Sequence, residues 1–284
     1  MDRLSERLES GEIVRFDFCP FPLPSEDTRR FLFEQRYSGA QDKYIRYFPA
    51  GHTLLGAVRT SAEQEARLAH TLDQFSAQAR GWLGDLLPAY AAAWSAEQVT
   101  WRTEEEATRP LPNASRSDLL HVDAFAARPT GGARILRLFV NLHPTDPRVW
   151  ATSDAFADIL GRFGAQVGLP HKTDAWPRRL GRTLLSLFRP GAPAESDYDA
   201  FMLRLHQFLK SNDDYQERAI RRLYSFHPSE AWLAFTDGIC HAELRGQFAL
   251  EHTFFVPPHV LSFPDQSPLH LLENACGRPL RHVA

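Results

Sequence analysis

Residues 117–125 read SDLLHVDAF, and the spacing inside that stretch decides how the rest of the chain is read. One residue separates His121 from Asp123. On an extended strand, side chains two apart leave from the same face, so the imidazole and the carboxylate point to one side. Two corners of a 2-His-1-carboxylate iron triad are built in this way, and such a site keeps positions open for small molecules. The third ligand must come from a distant strand lying alongside. His241, in FTDGICHAEL, follows a hairpin turn and opens a strand, which suits that role. His227, in SFHPSE, precedes a proline and suits it less. An HxD pair alone is a weak signal, because a chain with 12 histidines and 35 acidic residues produces such pairs by chance. The strand context on both sides is what separates this one from a hydrogen-bonded surface pair.

Working outward, Arg134–Leu142 is the clearest strand. Leu136, Leu138, Val140 and Leu142 share one face, and Arg137, Phe139, Asn141 and His143 share the other. Trp232–Thr236, a turn at Asp237–Gly238, His241–Leu244 and Ala249–Val256 read as a hairpin and its continuation. Residues 61–96 read as helix, with Ser61 able to cap it and Leu68, Leu72, Phe75, Ala79, Trp82 and Leu86 at helical spacing. Ser25–Arg36, Asp154–Phe163 and Asp197–Asp213 read as further helices, Glu12–Phe18 as a strand, and the polar stretch 97–114 as a strand followed by a loop. Glu104–Glu106 is expected to be a solvated turn. The pattern predicts an α+β protein: a distorted double-stranded β-helix (a jelly roll, cupin-like) flanked by helices. A single domain over 1–284 is expected, with an N-terminal helical part to about 96 and a helical insertion at about 150–225.

Bulk properties exclude several classes. The net charge of -3 gives no basis for nucleic-acid binding. Cys19, Cys240 and Cys276 are an odd number without a CxxC pair, which argues for a reducing compartment and against a zinc site. The charged opening MDRLSERLESGEIVRF has no apolar core of a secretory signal, and no apolar run reaches the ~18 residues of a membrane span. A cytoplasmic location is expected, with a peripheral position on the inner membrane left open. No GxSxG, GxxxxGK[ST] or GxGxxG is present, so serine hydrolases and nucleotide-binding folds are disfavoured.

An iron site with open positions commonly takes 2-oxoglutarate as cosubstrate together with O2. The far carboxylate of 2-oxoglutarate then needs a basic residue, and the planar fork of arginine suits it. In many such folds this arginine follows shortly after the last histidine, but Glu251 and His252 stand there. Arg137 is the replacement: if the Leu136 face packs under a helix, Arg137, Phe139 and Asn141 point into the barrel. A reversed register would put Arg137 in solvent instead. Arg134 and Arg245 are fallbacks, and Thr253 offers a hydroxyl. Asp237 and Glu243 lie close enough in sequence to His241 to be weak candidates for orienting its ring.

Two longer strings carry a resemblance. RSDLLHVDAFAARPTGGARILRLFVNLHP, residues 116–144, and WLAFTDGICHAELRGQFALEHTFFVP, residues 232–257, resemble the bacterial Kdo hydroxylases, which act on 3-deoxy-D-manno-oct-2-ulosonic acid (Kdo) in lipopolysaccharide. The resemblance implies an iron(II)- and 2-oxoglutarate-dependent dioxygenase with His121, Asp123 and His241 as ligands. It further implies hydroxylation of Kdo at carbon 3 to give Ko, on a Kdo-containing lipid A or lipopolysaccharide precursor. Such a substrate asks for a surface that can approach an anionic bilayer. WPRRLGRTLLSLFRPG, from Trp176, is basic and amphipathic with an aromatic at each end, as an interfacial helix would be, although an ordinary surface helix gives the same pattern. DKYIRYF, with Lys43 and Arg46 between aromatics, is either a pocket wall or a plain strand. Two other readings compete: a 2-oxoglutarate dioxygenase acting on a different substrate, and a non-catalytic jelly-roll binding protein.

Overall fold

The structure, a computed structural model, describes residues 3–39, 44–108, 111–169 and 196–280. Its strands are β1 (Val14–Phe16), β2 (Ile45–Phe48), β3 (Thr53–Leu55), β4 (Ser95–Arg102), β5 (Arg134–Asn141), β6 (Arg148–Ala155), β7 (Arg222–Phe226), β8 (Ala231–Phe235), β9 (Ile239–Arg245) and β10 (Ala249–Val256). One antiparallel sheet has the order β1-β8-β5-β10-β4-β2-β3, and the other the order β7-β6-β9. The segment carrying His121 and Asp123 lies along the free edge of β9, so a larger and a smaller sheet face each other as in a jelly roll.

Strand β5 lies inside the larger sheet, between β8 and β10, and is buried along its whole length. Its alternation divides the molecule. Leu136, Leu138 and Val140 join one apolar core with Leu68, Leu72, Phe75, Ala79 and Leu83 of α3 (Ala62–Leu86). Arg137 and Phe139 project from the opposite face into the barrel, paired with Thr253 and Glu251 of β10. The parity read from the sequence therefore holds, and the register that would expose Arg137 is not adopted. Ser61 caps α3 by accepting the Gln64 amide at 3.2 Å. The helix stops at Leu86 rather than 96 because Pro88 cannot continue it, and a single further turn, α4 (Pro88–Ala91), follows.

Three other expectations shift. The first 96 residues are not simply helical: they supply α1 (Arg3–Glu9), α2 (Glu26–Glu34) and α3, but also β1, β2 and β3 of the larger sheet. Residues 148–155 form a strand, so helix α5 (Phe156–Val167) starts later than expected, and the insertion begins after β6. It continues through α6 (Asp197–Ser211) and α7 (Asp213–Arg218), which with Ala151 and Ala242 of the smaller sheet and Leu120 and Val122 of the HxD segment build a second core. The interfacial stretch 176–189 and Lys43 lie outside the described residues. Among the described residues, no helix is long and apolar enough to cross a membrane. The chain closes with α8 (Pro268–Cys276).

The turn from β9 to β10 needs a glycine. Gly246 has φ +136°, and a Cβ there would lie 2.7 Å from Cγ of Arg148. Gly246→Ala is therefore expected to lower stability by roughly 1–3 kcal/mol, from the backbone conformation alone, as read from the denaturant midpoint.

Candidate metal centre

His121 and His241 are stitched together by the backbone. The His121 amide donates to the His241 carbonyl at 2.9 Å, and the His241 amide donates back at 2.8 Å. Two residues on, the Asp123 amide donates to the Thr236 carbonyl in the β8–β9 turn at 2.9 Å. The HxD segment is thus an extended edge held by an isolated bridge rather than a regular strand. The effect on the side chains is the one expected: one donor atom from each of His121, Asp123 and His241 lies within 4.8 Å of the others, and all three residues are buried.

The ring nitrogens are already sorted. A carbonyl oxygen can only accept, so Nδ1 of His121 donates to Leu119 O at 2.7 Å and Nδ1 of His241 donates to Ile239 O at 3.1 Å. Both Nε2 atoms therefore carry free lone pairs, the tautomer a metal requires. Nε2 of His241 is buried and has no hydrogen-bond partner in the described structure. Such an orphaned acceptor is costly unless something binds it, and an N, N, O donor set suits iron(II). The orienting partners are these carbonyls rather than Asp237 or Glu243. Asp237 pairs with Arg134 at 2.9 Å, and Glu243 pairs with Arg148 and, at 2.9 Å, with Arg102.

Electrostatics fit the same reading. Burial, and after it the charge of Lys210, hold the His121 imidazole well below its ordinary value, and burial likewise lowers His241. Both rings are neutral at physiological pH. Burial raises the Asp123 carboxyl, but Arg137 and the contact with His121 outweigh it and keep the carboxylate ionised.

Around the triad lies a buried ion network that the sequence reading largely missed. Arg137 bridges Asp123 at 3.0 Å and Glu251 at 2.9 Å. Arg102 reaches Glu251 at 2.7 Å and Glu106 at 3.0 Å, and Arg148 lies 3.6 Å from Glu106. Glu106 is therefore an interior residue, not part of a solvated turn. Three guanidinium groups face four carboxylates, so the network carries one surplus negative charge before any metal is added. Glu243 shows the cost of breaking it. Burial raises its carboxyl, but Arg102 and Arg148 overcome this and bring it down to about 2. Its folded value lies below the ordinary 4.5, so its stabilisation is present above pH 4.5 and is lost as pH falls from there towards 2. Urea midpoints across that window are expected to drop steeply.

The remaining expected anchors separate cleanly. Arg137 lies in the site, 6% exposed, and its Nε has no acceptor. Thr253 is buried beside it and bonds Glu251 at 3.3 Å. Arg134 leaves the opposite face of β5, lies over the Phe235 ring and is tied to Asp237. The Asn141 amide is used by the carbonyls of Asp146 and Phe226 and by the His143 amide, holding the β5–β6 turn. Arg245 is exposed at the end of β9. The structure does not bring Arg134, Asn141 or Arg245 to the triad. His227, the other candidate third ligand, sits in the β7–β8 turn.

An aromatic stack closes the barrel behind the site. The Trp150 ring lies parallel to His241 at 5.3 Å and edge-on to Phe139 at 4.7 Å, and Trp232 stacks between Phe139 and Phe226. On the other side, His206 of α6 meets the His121 ring at 5.0 Å and donates through Nδ1 to Val122 O. Arg148 and Trp150 alternate with Val149 and Ala151, so their inward direction was readable once β6 was recognised.

The family model described as 3-deoxy-D-manno-oct-2-ulosonic acid (Kdo) hydroxylase matches residues 1–279. Among solved structures, the cobalt(II) complex of the Kdo hydroxylase KdoO, a non-haem Fe(II) α-ketoglutarate-dependent dioxygenase, is 34% identical with a TM-score of 0.89. It aligns with 100% of this chain and 92% of its own. KdoO with α-ketoglutarate and Fe(III) is 33% identical, and with succinate and Fe(III) 32%, each with a TM-score of 0.87 and the same coverage. No curated protein matches.

Proposed function

The chain belongs to the Kdo hydroxylase family, and from that premise we propose that it hydroxylates Kdo at carbon 3 in a lipid A or lipopolysaccharide precursor, using iron(II), 2-oxoglutarate and O2. His121, Asp123 and His241 are the proposed iron ligands. The observation that carries the reading is the convergence of their donor atoms, with the buried Nε2 of His241 lacking any partner among the described residues. When bound, iron and 2-oxoglutarate would activate O2, which is the oxidant: 2-oxoglutarate would give up two electrons and take one oxygen atom to leave as succinate and CO2, and the substrate C–H bond would give up two and take the other.

The chain's own residues do the rest. The carbonyls of Leu119 and Ile239 fix both imidazoles, and Arg137 holds the Asp123 carboxylate ionised. The stack of Trp150, Phe139, Trp232 and Phe226 keeps water from the rear of the site. Arg137 is also the proposed holder of the 2-oxoglutarate carboxylate. Its free Nε supports this. Arg137→Lys keeps a charge against Asp123 and Glu251 but removes the Nε–H left free for the cosubstrate. It is expected to weaken 2-oxoglutarate binding by about tenfold or more while iron still binds. Titrating the visible metal-to-ligand band of the anaerobic iron(II) protein with 2-oxoglutarate measures this, and an unchanged affinity would remove Arg137 from the role.

The function itself is tested by incubating the protein with iron(II), 2-oxoglutarate, O2 and Kdo-terminated lipid A. One succinate is expected for each Kdo that gains an oxygen atom by mass, and succinate without Kdo oxidation would point to another substrate. A cytoplasmic site of action, with contact between 176–189 and the anionic inner-membrane surface, is part of the same proposal; it rests on the basic amphipathic sequence.

A further inference from the structure

Helix α6 carries a buried lysine beside the HxD segment. Lys210 follows His206 by one turn, and that face of α6 lies against the HxD segment and the 113–115 turn. Lys210 is 4% exposed. Its ammonium donates to Ala114 O at 3.2 Å, and among the described residues no carboxylate lies within ion-pair distance of it. Arg102, Arg137 and Arg148, by contrast, each have at least one carboxylate partner.

The carboxylates of the ion network, with Asp118, offset the charge of Lys210 only from beyond contact distance, and the one group the ammonium touches is a neutral carbonyl. A buried charge is tolerated when it is paired, and a divalent metal bound by His121 would repel Lys210 further. Burial brings the lysine down to about 8 against the opposing charges of Asp123, Glu243, Asp118 and Glu106, so it is still largely protonated at neutral pH. An anion arriving in the site would relieve the repulsion.

We propose that Lys210 seats the C1 carboxylate of the sugar acid, next to the carbon that is oxidised; this rests on the function proposed above. In a 2-ulosonic acid the carboxyl carbon is bonded to C2, and C2 is bonded to C3. Placing C3 at the metal therefore places the carboxylate within a few bond lengths of it. The other carboxylate available is the far end of 2-oxoglutarate, but the unfilled Nε of Arg137 lies with the β-strand arginines rather than with α6. A lysine ammonium, a compact point charge, is sufficient for a carboxylate whose orientation is set by the sugar ring.

The test uses the anaerobic iron(II) protein loaded with 2-oxoglutarate, and two probes: Kdo methyl glycoside and its C1 methyl ester. Calorimetric titration of the wild type is expected to favour the acid over the ester by about tenfold or more, the scale of a charge-assisted hydrogen bond. Lys210→Met should abolish that preference, Lys210→Arg should keep part of it, and the 2-oxoglutarate titration should be unchanged in both. The Tm of Lys210→Met should hold or rise, since an apolar chain replaces a charge with one neutral acceptor. A preference that survives in Lys210→Met overturns the assignment. So does weakened 2-oxoglutarate binding with the preference intact, which would give the lysine to the cosubstrate. A merely structural lysine would lower the Tm and leave the acid–ester ratio alone. A wild type that oxidises Kdo-lipid A yet binds acid and ester alike sinks only the lysine, whereas one that never oxidises Kdo sinks the function beneath it.

Discussion

His241→Ala is expected to yield a folded protein that no longer shows the iron(II)–2-oxoglutarate absorption band and whose Kdo-coupled succinate formation falls to background. Loss of an outer hydrogen-bond partner typically costs ~10–100-fold in affinity or activity, and loss of a ligand should exceed that. The donor set has no spare member: among the described residues His121, Asp123 and His241 are the one cluster of metal-ligating side chains. His206 is not a member of that cluster, although its ring lies 5.0 Å from that of His121. The alanine also removes the ring stacked on Trp150, so the circular dichroism melt should be followed alongside. His121→Ala tests the same point from the other side of the bridge. Normal iron loading in either variant would end the triad assignment.

Glu251→Gln is expected to produce the largest loss of stability, about 3–5 kcal/mol, because it leaves buried guanidinium groups without their counter-charge. Glu251 is fully buried and accepts from Arg102 through Nε at 3.0 Å and Nη2 at 2.7 Å, with Arg137 at 2.9 Å on its other oxygen. Glutamine matches its shape but presents an amide NH2 to one of these donors. For a chain of this size the Tm should fall by roughly 10 °C. A fall of a degree or two would mean that Glu106 and Glu243 carry the arginines by themselves.

Much of this was legible in the residue order, for identifiable reasons. HxD spacing and a turn-then-strand histidine specify where side chains point, and backbone alternation transmits that direction faithfully, so His121, Asp123 and His241 could be named. The parity of β5 placed Arg137 inside, because a central strand with an unbroken leucine face has only one sensible burial. The ion network was not legible. Arg102 and Glu106 fell in a polar window that looks solvated, and only the closure of β4 onto β10 makes them interior. Glu251 stands where an arginine was sought, and its role is to hold two arginines brought from β4 and β5. Lys210 was hidden for a different reason: a helix reveals its buried stripe through leucines, and a lone cation on the rim of that stripe reads as surface. Arg134 and Asn141 were near misses. Arg134 has the wrong parity, and Asn141 has the right parity but spends its amide on a turn.

The paired amides between residues 121 and 241 have one more implication. Two donors far apart along the polypeptide are held at chelating distance by the peptide backbone itself, so the loop between them is closed during folding and not when metal arrives. The three-donor site is then a rigid claw before any ion binds. Stripping the ion should cost occupancy but little shape, and divalent ions of similar size should exchange through it without the polypeptide refolding.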